Sequence, residues 1–245
     1  MIKAFVFDLD GTLVQTEILK AHSYAEAVIK LSPEKIKEHD VIDAYKNLVG
    51  RSREEVAKSL MEKFNLEEEA KYLLSDTDSG ELWEAFVNVR LEYYYDSLKN
   101  PRIIKRVECP YSTRLLQKVK LRDYKTALAT TSHIDEASKV LDTLGLKDSF
   151  DFIATRDLIK KSKPDPEIYH LVTSKLNVNP SECIVIEDSV TGIEAAVSAN
   201  MNCIAATNDY TRDAVKESKL LDEKWIVNDL KKLDRVVEEM IKEKS

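Results

Sequence analysis

The chain has 245 residues, 43% of them hydrophobic and 33% charged, with a formal net charge of −7. That composition belongs to a globular protein with a real core, and its acidic balance gives no bulk attraction to nucleic acid or to an anionic membrane. No apolar run approaches the roughly 18–20 residues that span a bilayer, so neither partner is expected, and an anionic substrate would need a local cationic pocket.

The first apolar run, Ile2–Phe7, meets Asp8 at once, which is too short and too quickly charged for a secretory signal. Cys109, Cys183 and Cys203 are odd in number and lack metal-ligand spacing, so they read as buried thiols. A reducing, cytoplasmic setting is the expectation. Asp8-Leu9-Asp10-Gly11-Thr12-Leu13 follows directly on this first strand. Two carboxylates at i and i+2 can share a metal, or one can act as nucleophile while the other handles a proton. Taken alone, the motif could equally be an acidic turn.

From about residue 16 to residue 100 no strand is expected. Ser52-Arg53-Glu54-Glu55 fits a capping box ahead of Val56, Leu60 and Phe64. A second amphipathic helix runs from about Glu81 to Leu98 and carries Trp83, Phe86, Val87, Tyr93 and Tyr94. Glu67-Glu68-Glu69 reads as a solvated helix surface. The pattern is that of a helical domain, residues 16–100, inserted into an α/β domain made of residues 1–15 and 101–245.

Beyond residue 100, short apolar runs recur: Thr126–Ala129, Phe152–Ala154, Cys183–Ile186, Cys203–Ala206 and Trp225–Val227. None alternates cleanly, as expected for strands covered on both faces. Asp135–Leu144, stopped by Gly145, reads as a helix between two of them. Asp165-Pro166 offers a cap and a first-turn proline to a helix through Ile168, Val172 and Leu176, and Asn228 a cap to a closing helix through Met240. Strand and helix in alternation specify a doubly wound parallel sheet.

Polar groups follow those strands. Thr130-Thr131-Ser132 offers hydroxyls and backbone N–H groups to a phosphate. Ser162-Lys163-Pro164 fixes a lysine before a helix, and Glu187-Asp188-Ser189 closes a buried strand with acids suited to a hard cation. Each alone could be a cap or a surface charge. Their shared place at carboxyl ends of strands, where open parallel sheets gather functional groups, sets them apart.

These residues resemble the haloacid dehalogenase-like superfamily, in the branch holding β-phosphoglucomutase, phosphoglycolate phosphatase and sugar-phosphate phosphatases. The resemblance implies a Rossmann-like core with an inserted all-α cap, and a magnesium-dependent phosphatase acting on a small phosphorylated metabolite. It implies Asp8 as nucleophile and magnesium ligand, and Asp10 as general acid/base that also binds the metal through its carbonyl. Thr130, Thr131 and Lys163 would hold phosphoryl oxygens; Glu187 and Asp188 would complete the metal site. Arg53 matches a cap position that touches substrate in some relatives, with Arg51 beside it. Lys20 stands where the phosphoglucomutase has a histidine, which ranks a hexose-phosphate mutase second and a non-catalytic binding module third. A monomer is the expected state, as in many cap-bearing relatives.

Overall fold

The computed structural model describes residues 1–32, 35–49, 51–75 and 80–244. Gly50, the residue before Arg51, lies outside them. In chain order, β1 (Ala4–Phe7) is followed by α1 (Thr16–Leu31), α2 (Glu38–Lys46), α3 (Arg53–Lys63), α4 (Glu67–Ser75) and α5 (Leu82–Lys99). Then come α6 (Pro101–Arg106), α7 (Pro110–Leu121), β2 (Lys125–Ala129), α8 (Ile134–Leu144), β3 (Phe152–Ala154) and α9 (Glu167–Leu176). The chain closes with β4 (Cys183–Glu187), α10 (Val190–Ser198), β5 (Asn202–Ala206), α11 (Arg212–Ser218), β6 (Ile226–Val227) and α12 (Leu233–Glu243). Two compact units result: Met1–Gln15 with Ile104–Ser245, and Thr16–Ile103.

In the first unit the strands form one parallel sheet in the order β3-β2-β1-β4-β5-β6. Alternate side chains of a strand face opposite ways, and both faces are covered here. Ala4, Val6, Ala127, Ala129, Cys183, Val185, Cys203 and Ala205 meet Ile168, Tyr169 and Val172 of α9 and Ile193, Ala195 and Ala196 of α10. The small residues on this face let helix and sheet approach closely. Phe5 and Phe7 take the opposite face, where Phe5 packs edge-on against Tyr124 at 5.1 Å. The strand order reverses between β1 and β4, the kind of place where such sheets open a crevice at their carboxyl ends. Asp8 leaves β1 and Glu187 ends β4 at that crevice.

Two helix starts differ from the sequence reading. Asn228 is not the cap of the closing helix: its Oδ1 accepts from Thr207 Oγ1 at 2.7 Å, and α12 begins only at Leu233 after a short 3₁₀ turn over Leu230–Lys232. Pro166 is the N-cap of α9 rather than its first helical residue, and Asp165 Oδ1 accepts the Glu167 N–H at 3.0 Å. The start of α8 takes its cap from far along the chain, Asp157 Oδ2 accepting the Ile134 N–H at 2.7 Å. The His133 ring, 2.7 Å from the other oxygen, together with that N–H holds the Asp157 carboxyl down at about 2.

The second unit is helical, with its own core of Tyr24, Val28, Val41, Tyr45, Val56, Leu60, Leu66 and Phe86. Ser52 and Glu55 make the capping box in full at the head of α3. Inside this unit Glu17 is buried and accepts from Tyr45 Oη at 2.5 Å and Lys20 Nζ at 2.7 Å. Arg90 is buried too, its guanidinium stacked on the rings of Tyr24 and Tyr94 at 4.9 and 4.4 Å. No helix among the described residues is long and apolar enough to cross a membrane.

Candidate active site

The loop after β1 is wound tightly. Gly11 N–H bonds Val14 O at 2.7 Å, and Leu13 and Val14 both donate to Leu9 O, at 2.9 and 3.1 Å. Gly11 sits at φ +89°, and a Cβ there would lie 2.1 Å from Asp188 Oδ2. Glycine is therefore required twice over, for the backbone and for the approach of a carboxylate. Asp8 is fixed at the carboxyl end of this central strand by its N–H bond to Ile186 O at 3.0 Å.

Lys163 is the cation of the site. Its side chain is only 4% exposed, and Nζ donates to Asp8 Oδ1 at 2.7 Å, Glu187 Oε1 at 2.6 Å and Ala129 O at 2.9 Å. Those three bonds use all three protons of the ammonium. The Tyr169 ring lies beneath it, 5.3 Å from Nζ to the centroid. Burial alone would depress the lysine, but Asp8 and Glu187 together outweigh it and hold the ammonium well above its usual range.

Asp8 goes the other way. Burial raises it to about 8, against the pull of Lys163 and with repulsion from Glu187 and Asp10 adding to the rise. Oxygens of Asp8, Glu187 and Asp188 lie within 4.8 Å of one another, all buried. Two of these carboxylates share the Lys163 ammonium, and the three together form an all-oxygen donor set that fits a hard divalent cation.

Glu187 is tied down on both oxygens. Beyond Lys163, its Oε2 accepts from the Asp188 and Ser189 N–H groups at 2.8 and 3.0 Å and from Ser189 Oγ at 3.0 Å. Gly192, on the first turn of α10, faces it: a Cβ would fall 1.7 Å from Glu187 Oε1. Gly192→Ala must push this carboxylate off its donors. An unfolding free energy lower by about 1–3 kcal/mol is expected in chemical denaturation, the range for overpacking a tight interior.

Asp10 is half-buried and accepts from Ser132 Oγ at 2.6 Å and Thr130 Oγ1 at 3.3 Å. Thr130 in turn accepts the Ser132 N–H at 3.0 Å, so the loop after β2 is folded onto the loop after β1. Thr131 is exposed. The structure thus brings Asp8, Asp10, Thr130, Lys163, Glu187 and Asp188 to one end of the sheet. Arg51, Arg53 and Lys20 belong to the helical unit: both arginines are exposed at the start of α3, and Lys20 pairs with Glu17 on α1.

Two participants escaped the sequence reading. Ser132 makes the shorter bond to Asp10, although the hydroxyl triplet was the right segment. Asn208, in the loop after β5, donates from Nδ2 to Asp188 Oδ2 at 2.8 Å, and nothing in the run Thr207–Thr211 marks it. Tyr169 is a third surprise: fully buried beside Lys163, its hydroxyl has no hydrogen-bond partner among the described residues. Leaving such a group unbonded costs roughly 1–3 kcal/mol. Tyr169→Phe keeps the ring under the ammonium, so a melting temperature equal to or above that of the unaltered protein is expected in thermal denaturation.

The model of the haloacid dehalogenase-like hydrolases matches residues 2–200. A phosphorylated carbohydrates phosphatase of Thermotoga maritima is 33% identical over 205 residues, covering 83% of this chain and 84% of its own. A phosphoglycolate phosphatase of Psychrobacter arcticus is 29% identical, over 84% of this chain and 83% of its own. The solved structure of β-phosphoglucomutase from Clostridium difficile superposes with a TM-score of 0.68 at 29% identity, covering 98% of this chain and 99% of that one. With a site assembled on the strand ends of a doubly wound sheet, and with that extent of similarity, the chain is an enzyme of the haloacid dehalogenase-like hydrolase family.

Proposed function

We propose that this enzyme is a magnesium-dependent phosphatase of a small phosphorylated metabolite, a sugar phosphate or phosphoglycolate, and that Asp8 carries the phosphoryl group during turnover. The observation that carries the reading is the Lys163 ammonium bonded at once to Asp8 and Glu187, with Asp10 alongside under two hydroxyl donors. A nucleophile, a proton carrier and a cation converge where a phosphoryl group can be received.

The chemistry follows from charge. An oxygen of Asp8 attacks phosphorus in line, and the ester P–O bond breaks on the opposite side. Asp10 protonates the departing alkoxide, then takes a proton from the water that attacks the aspartyl phosphate. The Thr130 hydroxyl and the Thr131 amide would hold the phosphoryl oxygens, with Lys163 turning one of its three N–H bonds from a carboxylate to them. Asp8, Asp188 and the Asp10 carbonyl would hold magnesium, with Glu187 joining them or orienting Lys163 from behind. When bound, the ion neutralises charge on the phosphoryl oxygens. Arg53, Arg51 and Lys20 would choose among substrates.

The test is release of inorganic phosphate from sugar phosphates, phosphoglycolate, nucleotides and an aryl phosphate, with and without magnesium. Magnesium-dependent release is expected; none from any of these would overturn the reading. The similarity to a β-phosphoglucomutase favours a second reading, a hexose-phosphate mutase. Isomerised sugar phosphate without free phosphate would select it over the first, against the weight of Lys20 in place of histidine.

A further inference from the structure

Asp188 directly follows β4, yet one of its oxygens is bonded by a residue from the loop after the neighbouring strand β5. We propose that Asn208 is a positioning residue for the metal site: it fixes the rotation of the Asp188 carboxylate and so presents that group to the divalent cation. The inference rests on the metal reading above and goes beyond it to a residue outside the motifs that carry the family resemblance.

The amide of Asn208 can face only one way. Its Oδ1 accepts the Tyr210 N–H at 2.8 Å, closing a local turn. That bond commits the carbonyl side to the backbone and leaves the NH₂ side for Asp188 Oδ2, at 2.8 Å. The turn is itself held, because the Asn208 N–H donates to Thr211 Oγ1 at 3.3 Å, and Thr211 is buried at the head of α11. One residue earlier, Thr207 N–H bonds Val227 O at 3.1 Å and Thr207 Oγ1 bonds Asn228 at 2.7 Å, which ties the loop to β6. The donor therefore sits on a braced loop rather than on a free side chain.

From its other side, Asp188 approaches Gly11 so closely that a Cβ there would lie 2.1 Å from Oδ2. The carboxylate thus lies between the glycine on one side and the amide on the other. A ligating carboxylate held by an outer donor needs no reordering when the ion arrives, and removing such a donor weakens metal binding by about 10–100-fold in comparable sites. The sequence reading of Asn228 as a helix cap concealed this brace, since Asn228 serves the loop of Asn208 instead.

The test is calorimetric titration of the metal-free enzyme with magnesium alone, on the unaltered chain, Asn208→Ala and Thr211→Val, with a melting curve of each without metal. Asn208→Ala is expected to raise the magnesium dissociation constant by about 10–100-fold while the metal-free melting temperature changes little. Thr211→Val loosens the same loop but keeps the amide; it should lower the melting temperature and leave the dissociation constant within about threefold. Magnesium binding to Asn208→Ala as tight as to the unaltered chain would overturn the inference. So would equal weakening in both variants, in step with their melting temperatures, because the loop would then act only through the fold. Failure of the unaltered enzyme to bind magnesium at all is a different result, and it would remove the metal reading itself.

Discussion

Asp8→Asn is expected to abolish phosphate release, with turnover falling roughly ten-thousand-fold or more, as when other covalent nucleophiles are removed, while the metal-free protein becomes more stable. The two effects have one cause. Burial has raised the Asp8 carboxyl from 3.8 to about 8, so the folded chain binds this proton more tightly than the unfolded chain does. A group raised in this way lends its full stability below the unfolded value, and that stability is lost as pH climbs through the folded value. At neutral pH the metal-free enzyme must therefore keep a proton that the unfolded chain gives up, or else bury the charge, and asparagine is spared both. The substituted amide would keep an oxygen for Lys163, so the ammonium retains its three acceptors. Melting curves in chelator at pH 5 and pH 8 check this: the variant should gain on the unaltered protein between the two. Substantial residual turnover would refute the nucleophile assignment, and an unchanged gap between the two pH values would refute the electrostatic account.

Lys163→Met acts on the same centre with the opposite sign. Methionine matches the aliphatic stem and leaves Asp8, Glu187 and Asp188 facing one another with no cation. Removing one partner of a buried pair typically costs about 3–5 kcal/mol, because the other charge stays behind. The loss should be largest at pH 8, where the carboxylates must ionise, and smaller at pH 5, where protons take the lysine's place. Turnover should fall by at least about a hundredfold, the scale for deleting one preorganised charge-stabilising donor. Denaturant titrations at the two pH values, together with phosphate release, measure both effects. A stability loss independent of pH would mean that the lysine acts through packing on Tyr169 rather than through its charge.

The doubly wound sheet was legible because its strands are buried on both faces. Runs such as Cys183–Ile186 and Cys203–Ala206 show neither alternation nor charge, and sterics leave few other ways to bury them. The acidic groups of the site stood out because each follows a strand, at the carboxyl end where open parallel sheets gather functional groups. What the sequence concealed is contributed by single residues whose neighbours come from distant segments. Thr131 and Ser132 are adjacent and chemically alike, and only the curl of the loop after β2 decides that Ser132 turns inward. Asp157 caps a helix that starts 23 residues before it, so no local window contains both partners. Asn228 departs from its local reading, and Asn208 goes unmarked, for the same reason: a polar side chain in a loop is committed by what folds over it.

The segments on which the chain leaves the α/β unit and returns to it are joined edge to edge. Val14 bridges Glu108, Gln15 N–H bonds Val107 O at 2.7 Å, and Cys109 N–H bonds Leu13 O at 2.9 Å. Gln15 adds side-chain bonds from Nε2 to Gly11 O at 3.0 Å and to Cys109 Sγ at 3.3 Å. Because the two crossing points are already zipped together, whatever is spliced between them closes a loop whose ends need not be brought near, and its length costs the core little. Such a doorway makes the intervening stretch an exchangeable cassette. Natural variation or an engineer can swap the helical insert for another while the parallel sheet, its register and its charge balance stay as they are.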